Sequence, residues 1–466
     1  MQIQNQAENR AALIWILFLI FLPVFLAFLY VFLFGVNGVF GDQWNIVYLF
    51  QKLSTGRLTL ADLFTQHNEH RIFFPLLCML LLAEVTHYNN VVEMYSIVAL
   101  FTASWAMLIA RARRQFHTVP GGTTRVLIPF SFLMFTWRQS TNMLAGFQIT
   151  YAFVQTFGLI SVYLLSRFTQ MNGNGRKAAY LSFSMLSAVV ASYSSAMGLA
   201  VWMAGLLMLA IHGLKHGRRT GWPLPVWLLA GSIAWLIYFA GFHTPVSPGI
   251  FHFLLEPGKV AVYFLAVCGG WFSWNSALSM IAGSLTVSLF LACLFMTYQL
   301  DILDESLPWI GTGMFSLFSL SLITVGRYAY GVQEAMSSRY VSLSVLMVVS
   351  LYAMLMGLLM HKEVHRAFMS RTIKPMMFAT MIMIAISIPL SFFYGYKIGK
   401  KDRSLREREA CILYDYQSEP RQALAELYPL PQAVSAWAGI LQGLDYNVFY
   451  YRPHYLDYCE RIKPPP

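Results

Sequence analysis

Long apolar stretches alternate with short polar ones along most of this chain. Runs of spanning or near-spanning length cover residues 11–35, 91–112, 126–137, 149–166, 179–194, 197–213, 221–242, 277–298, 308–326, 341–361 and 375–396. Two shorter runs, Ile72 to Ala83 and Val260 to Trp274, stand apart, the second broken by Gly269 and Gly270. A helix needs about 20 apolar residues to cross a bilayer, and runs of about 10 to 14 are more often re-entrant or interfacial. The pattern predicts an all-α polytopic membrane protein with eleven crossings, in which the two short runs lie along or dip into the membrane. The 126–137 run is as short as these, and counts as a crossing only when extended into the loop from Gly121 to Arg125.

Charge gives the direction. Arg111, Arg113, Arg114 and Arg125, then Arg167, Arg176 and Lys177, then Lys215, Arg218 and Arg219, then Lys362, Arg366, Arg371 and Lys374 sit in four short connections. The alternating connections hold only Arg138, Lys259, Arg327 and Arg339. The positive-inside rule puts the first set in the cytoplasm, and parity then places the N-terminus inside and the C-terminus outside. The first run reads as a retained signal anchor behind Arg10.

Composition fits this picture: 57% of the 466 residues are hydrophobic and 11% charged, against about 25% charged in soluble domains. The net charge of +11 falls in loop clusters and calls for no nucleic-acid partner. Residues 1–396 form the membrane module, with a first outer loop at 35–90, and 397–466 form a small extracytoplasmic helical tail. Cys411 and Cys459 both lie in that tail, where an oxidising compartment would let them pair; the sequence leaves the pairing open.

Candidate chemistry collects on the outer side. The stretch from Gly41 to Pro75 carries Asp42, Asp62, His67, Glu69, His70 and Arg71. Charged groups beside apolar runs are costly unless solvated or paired, which makes such a cluster a functional candidate. Asp62 has a local explanation, capping a short helix with Thr59. For His67, Glu69, His70 and Arg71 three readings stand: solvated interfacial residues, a metal site, or an anion-binding network that moves a proton. The third suits the mixed charges best, and the HExxH zinc pattern is absent. Arg138, Gln139, Asn142 and Gln148 crowd the next outer loop, and Arg327, Arg339 and Tyr340 a later one. Two arginines outside run against the charge rule; they either grip an anionic phosphate or snorkel to headgroups.

A signal-anchor helix, a long outer loop with an early Asp, interfacial helices and an Arg-rich cytoplasmic turn together resemble GT-C-type glycosyltransferases. These use polyprenyl-phosphate sugars, as do the aminoarabinose transferases and protein O-mannosyltransferases. In motif detail the chain is similar to bacterial membrane proteins carrying a GDxW, HNEHR, GFQ and SRY set, here Gly41 to Trp44, His67 to Arg71, Gly146 to Gln148 and Ser338 to Tyr340. It lacks the Lys-Pro-Pro lead-in of the aminoarabinose transferases, having Arg71 and Pro75 in that region.

The resemblance implies a multi-pass protein of the bacterial cytoplasmic membrane that moves one sugar from a polyprenyl-phosphate donor to a glycan, lipid or protein acceptor on the outer face. Asp42 is the expected base and Glu69 the second candidate. Arg71, Arg327 and Arg339 are expected to hold phosphate, with His67 and His70 tuning or relaying. Arg138, Gln139, Asn142, Gln148 and Tyr340 are expected to bind substrate. Metal dependence is left open, since Asp42 and Glu69 could share a divalent cation with the donor phosphate. The rival classes are a carrier of lipid-linked sugar or anionic lipid, and an O-antigen polymerase; no internal repeat favours the carrier.

Overall fold

The apolar runs fold as helices. In the computed structural model of the protein, residues 2–117, 123–171, 174–216, 221–243, 252–361 and 367–452 are described, with 455 and 459. Gly121, Arg218, Arg219, Lys362 and Arg366, used above to argue topology, lie outside the described residues.

Helix α1 (Gln2–Phe34) is followed by a 3-10 turn (Gly41–Ile46) and the short helices α2 (Val47–Ser54) and α3 (Leu60–Leu63). A two-stranded hairpin, β1 (Gln66–His67) and β2 (His70–Arg71), leads into α4 (Phe73–Thr86) and α5 (Asn90–Gln115). Three short helices come next, α6 (Thr123–Val126), α7 (Ile128–Met134) and α8 (Ser140–Leu144). The long helices α9 (Ile149–Gln170), α10 (Asn174–Ser192), α11 (Ala200–His216) and α12 (Pro223–Phe239) follow. Then come α13 (Pro257–Cys268), α14 (Ser276–Gln299), α15 (Leu303–Arg327), α16 (Val332–Ala335) and α17 (Val341–Met360). The chain finishes with α18 (Ala367–Tyr414), α19 (Arg421–Leu427) and α20 (Pro431–Gly443).

Among the described residues eight helical segments are long and apolar enough to cross a membrane, the make-up of an all-α multi-pass membrane protein. They contain α1, α5, α9, α11, α14, α15, α17 and α18. Burial sorts them into layers: 78% of the α17 window and 72% of the α9 window are buried, against 28% for α1 and α18. So α9, α15 and α17 make the centre. The outer helices turn large apolar side chains outward, among them Phe18, Phe21, Phe25 and Phe32 of α1, as lipid-facing surfaces do.

The two short runs give short helices, α4 of 14 residues and α13 of 12, or about 21 and 18 Å at 1.5 Å per residue, less than the roughly 30 Å hydrocarbon core. Helix α13 is held tightly on α14. A Cβ on Gly269 would fall 1.8 Å from the Ser279 carbonyl oxygen, and one on Gly283 1.9 Å from that of Leu265. Only glycine lets the two backbones come so close.

Three expected crossings take different forms. Helix α10 has 19 residues and α12 has 17. The 126–137 run is not a single helix but α6, α7 and a 3-10 turn at Trp137–Gln139. Backbone that leaves a helix at membrane depth must be buried in protein and find its bonds there. Here Tyr352 Oη donates to the Val126 carbonyl (3.1 Å), Gln139 Nε2 to Met134 (2.7 Å) and Arg406 to Leu144.

Residue 396 marks no break in the chain, because α18 continues without interruption to Tyr414. Its final turns carry Cys411, which is bridged to Cys459. The tail then folds over the first outer segment: Trp437 stacks on Trp44 with ring centres 6.1 Å apart, Tyr428 Oη donates to Asn45 (3.1 Å), and the His87 and Tyr450 rings stack at 3.7 Å. A bridge across 48 positions restricts the unfolded chain by an amount typically worth about 2–4 kcal/mol. The Cys411→Ser, Cys459→Ser double variant should therefore melt at a lower temperature in detergent than the parent protein. Equal melting of the two, with reductant excluded, would show that the bridge does not hold the tail.

Candidate functional site

The QHNEHR sequence makes its turn at Asn68 and Glu69. Asn68 takes a left-handed backbone (φ 50°), which Asn tolerates better than most residues. Gln66 then pairs with Arg71 and His67 with His70. Paired residues share a face and successive ones point to opposite faces, so the hairpin sorts its side chains into two sets.

Gln66 and Arg71 face the end of α12. Gln66 bonds both the amide and the carbonyl of His243. The Arg71 guanidinium donates to the carbonyls of Tyr238 (2.7 Å), Phe64 (2.6 Å) and Ala240 (2.5 Å). Its donors are occupied by backbone, and the phosphate role expected of it is corrected accordingly: Arg71 fastens the hairpin to α12.

His67 and His70 face the other way. His67 Nε2 lies 3.7 Å from Asp42 Oδ1, and the Phe147 ring is 5.0 Å from the His67 ring. Asp42 sits at the start of the 3-10 turn, where Gly41 has a positive φ of 52°. Interaction with His67 holds the Asp42 carboxyl below its usual range; partial burial opposes this and the Arg339 charge assists it. The carboxylate is thus ionised at neutral pH, with 42% of its side chain exposed.

At the tip of the turn, Glu69 makes an ion pair with Arg327 at the end of α15. His70 Nε2 lies 3.9 Å from Glu69, and its Nδ1 faces the Ala196 amide at 3.4 Å. An N–H aimed at Nδ1 assigns the imidazole proton to Nε2, on the Glu69 side. Burial first, then the charges of Arg327 and His67, push the His70 pKa down to about 3.

Glu69, His70, Tyr151, Ala196, Met197, Leu322, Ile323, Gly326, Arg327 and Tyr340 line a cleft with about 300 Å³ of empty space. Beside it Arg339 pairs with Glu334, and Tyr340 Oη donates to the same carboxylate at 3.0 Å. Arg339 Nε is buried with no hydrogen-bond partner. The cleft therefore brings together Glu69, His70, Tyr151, Arg327 and Tyr340 from segments far apart in the chain; Arg339 lies beside Tyr340, and Asp42 lies on the far side of His67.

The remaining expected residues support the surroundings. Arg138 is fully buried; it donates to Ser273 and Met336 carbonyls (3.1 and 2.6 Å) and lies over Trp274 at 4.4 Å. Gln139 bonds Met134, as described above, and Asn142 Nδ2 donates to the Arg339 carbonyl at 3.0 Å. All three tie neighbouring backbone, Asn142 that of Arg339, and each keeps one buried polar atom without a partner, Arg138 Nη1, Gln139 Oε1 and Asn142 Oδ1. Gln148 follows Phe147 in the turn beside His67, and its Oε1 is buried without a partner.

Sequence reading missed two residues. Tyr151 lines the cleft, and nothing in an apolar run marks which tyrosine will. Glu93, 1% exposed at the start of α5, accepts from Gln43 Nε2 (2.8 Å) and Asn90 Nδ2 (2.9 Å). A Cβ on Gly146 would lie 1.9 Å from its Oε2, so the glycine of the GFQ set leaves room for this carboxyl.

Fold and site together describe an all-α membrane protein with an arginine-bearing cleft at the hairpin between α3 and α4. No protein-family model, no curated protein and no solved structure matches the chain.

His70 gives a pH signature. Its folded-state pKa is depressed from 6.5, so below about pH 6.5 the unfolded chain binds a proton that the folded one refuses. Stability then falls as pH drops from about 6.5 toward 3, with a limiting slope of about 1.4 kcal/mol per pH unit. His70→Gln should flatten this loss between pH 6.5 and 4 in detergent melts. A parallel loss in both proteins would place the acid sensitivity elsewhere.

Proposed function

We propose that the protein is a glycosyltransferase that moves a sugar from a polyprenyl-phosphate donor to an acceptor hydroxyl on the outer face of a bacterial cytoplasmic membrane. The observation that carries this reading is the hairpin between an exposed, ionised Asp42, held by His67 and within reach of the Arg339 charge, and the cleft lined by Glu69, His70 and Arg327. In this reading the acceptor proton passes to Asp42 as the hydroxyl oxygen attacks the sugar's anomeric carbon. The bond from that carbon to the phosphate oxygen breaks, and polyprenyl phosphate leaves with the electron pair. General-base help of this kind is typically worth about 10² to 10⁴ in rate.

Arg327 and Arg339 would hold the phosphate, where negative charge grows in the transition state. Arg339 brings the partnerless Nε. Arg327 would exchange Glu69 for the donor, freeing Glu69 as the second carboxylate. Glu69 already holds the Arg327 guanidinium, so in this reading the cation beside it is arginine. His67 positions Asp42, neutral His70 relays or orients, and Tyr340, Tyr151 and Gln148 face sugar or acceptor.

The topology that goes with this has eleven crossings, α4 and α13 as interfacial or re-entrant helices, the N-terminus in the cytoplasm and the tail outside. The Cys411–Cys459 bridge supports the outer placement, since disulfides persist in oxidising compartments.

The test uses purified protein in nanodiscs with radiolabelled polyprenyl-phosphate sugars and a membrane extract as acceptor. Asp42→Asn should cut transfer at least 100-fold at unchanged donor binding, and Glu69→Gln by less. Full transfer by both variants would remove the catalytic assignment, and lipid movement without transfer would favour a carrier.

A further inference from the structure

A second cluster lies at the other end of α15, about 35 Å from Arg327 along the helix at 1.5 Å per residue. The last turns of α11 present His212 and His216, four residues apart and so on one helix face, with ring centres 4.6 Å apart. Asp304, in the first turn of α15, points between them. His216 Nε2 is 2.9 Å from Asp304 Oδ2, and His212 Nδ1 is 3.5 Å from Oδ1.

One ligand atom from each residue falls within 4.8 Å of the others. Donors bound at about 2.0–2.2 Å around a tetrahedral ion stand roughly 3.3–3.5 Å apart, so small ring movements would bring all three onto one ion. His212 is the inner member: its side chain is 11% exposed, and its buried Nδ1 faces the Asp304 carboxylate at 3.5 Å, longer than a good hydrogen bond.

We propose that His212, His216 and Asp304 bind one divalent transition-metal ion of the zinc type, which ties the end of α11 to the start of α15. Two imidazole nitrogens and one carboxylate oxygen suit zinc, cobalt or nickel, whereas calcium and magnesium prefer all-oxygen sets. A water completes the tetrahedron. Lys215 is the competitor: its ammonium lies 3.1 Å from Asp304 Oδ2, where the ion would bind. It also holds Asp301 through the side chain and the backbone carbonyl, both at 2.9 Å, and keeps those two oxygens when a metal takes Asp304. In the basic pattern along the chain this end belongs to the cytoplasmic side, so the ion would sit apart from the proposed transfer site and act as a staple.

Lys215 separates this site from a plain ion-pair cluster. Protein purified without a histidine tag, stripped with EDTA and dialysed, would be titrated with Co(II) and followed by visible absorption, with Zn(II) as competitor. The expected result is one tightly bound Co(II) per chain with the spectrum of a tetrahedral site, displaced by Zn(II). Affinity should fall at least tenfold in His212→Ala and His216→Ala, and rise at least threefold in Lys215→Met. The metal-free melting temperature of each variant checks that it is folded. Absence of stoichiometric binding in both the parent protein and Lys215→Met would overturn the proposal. So would parent-like affinity in His212→Ala.

Discussion

A carboxyl group cut off from water has to find its hydrogen bonds inside the protein, and the outer layer of this molecule is arranged around one, Glu93. Two fully buried amides, those of Gln43 and Asn90, donate to its Oε2, while Oε1 is buried without a partner. Asn90 is in turn bonded by Asn447 Nδ2 (2.8 Å), which also reaches the Tyr88 carbonyl and Asn37. One network thus joins the turn at Gly41–Ile46, the start of α5, the Gly146 turn and the C-terminal tail. Neutral amides allow such burial without the desolvation penalty of a second ion, and a buried polar network is stable only when its members are bonded. Asp42 is the neighbour of Gln43. Its position beside His67 follows from what Glu93 requires of the residue next to it.

The hairpin supplies the other half of the site by geometry alone. Strand alternation sends Arg71 toward α12 and His67 toward Asp42, while the turn pushes Glu69 outward to Arg327. Two successive residues, His70 and Arg71, therefore do different work: one faces the cleft and the other anchors it. The tail adds a lid-like layer over the first outer segment, with Tyr446 Oη on Glu84 at 2.5 Å.

What could be read from the sequence follows from how local each signal is. Length and hydropathy mark α1, α5, α9, α11, α14, α15, α17 and α18, because a spanning helix satisfies its own backbone within one segment. The Thr59–Asp62 capping box is equally local, and it is present. The break in the 126–137 run is not visible in sequence, because Tyr352, which bonds the Val126 carbonyl, lies more than 200 residues away. At residue 396 hydropathy drops while the helix runs on to Tyr414, because helix continuity and hydropathy are separate signals. Arg71 looks like an anion ligand because charge is visible in sequence and the three carbonyls bonded to it are not. Glu93 is hidden as an ordinary acidic residue in a first helical turn, and Asn68 hides a hairpin among helices.

The account stands on the cleft being a site for a lipid-borne phosphate. Equilibrium binding of a short-chain polyprenyl phosphate and of the matching neutral polyprenol, measured on the detergent-solubilised protein and on Arg339→Gln, addresses it most directly. The account predicts that the phosphate binds at least tenfold more tightly than the alcohol, and that Arg339→Gln removes most of this preference while leaving alcohol binding unchanged. Equal affinity for phosphate and alcohol in the parent protein would contradict it.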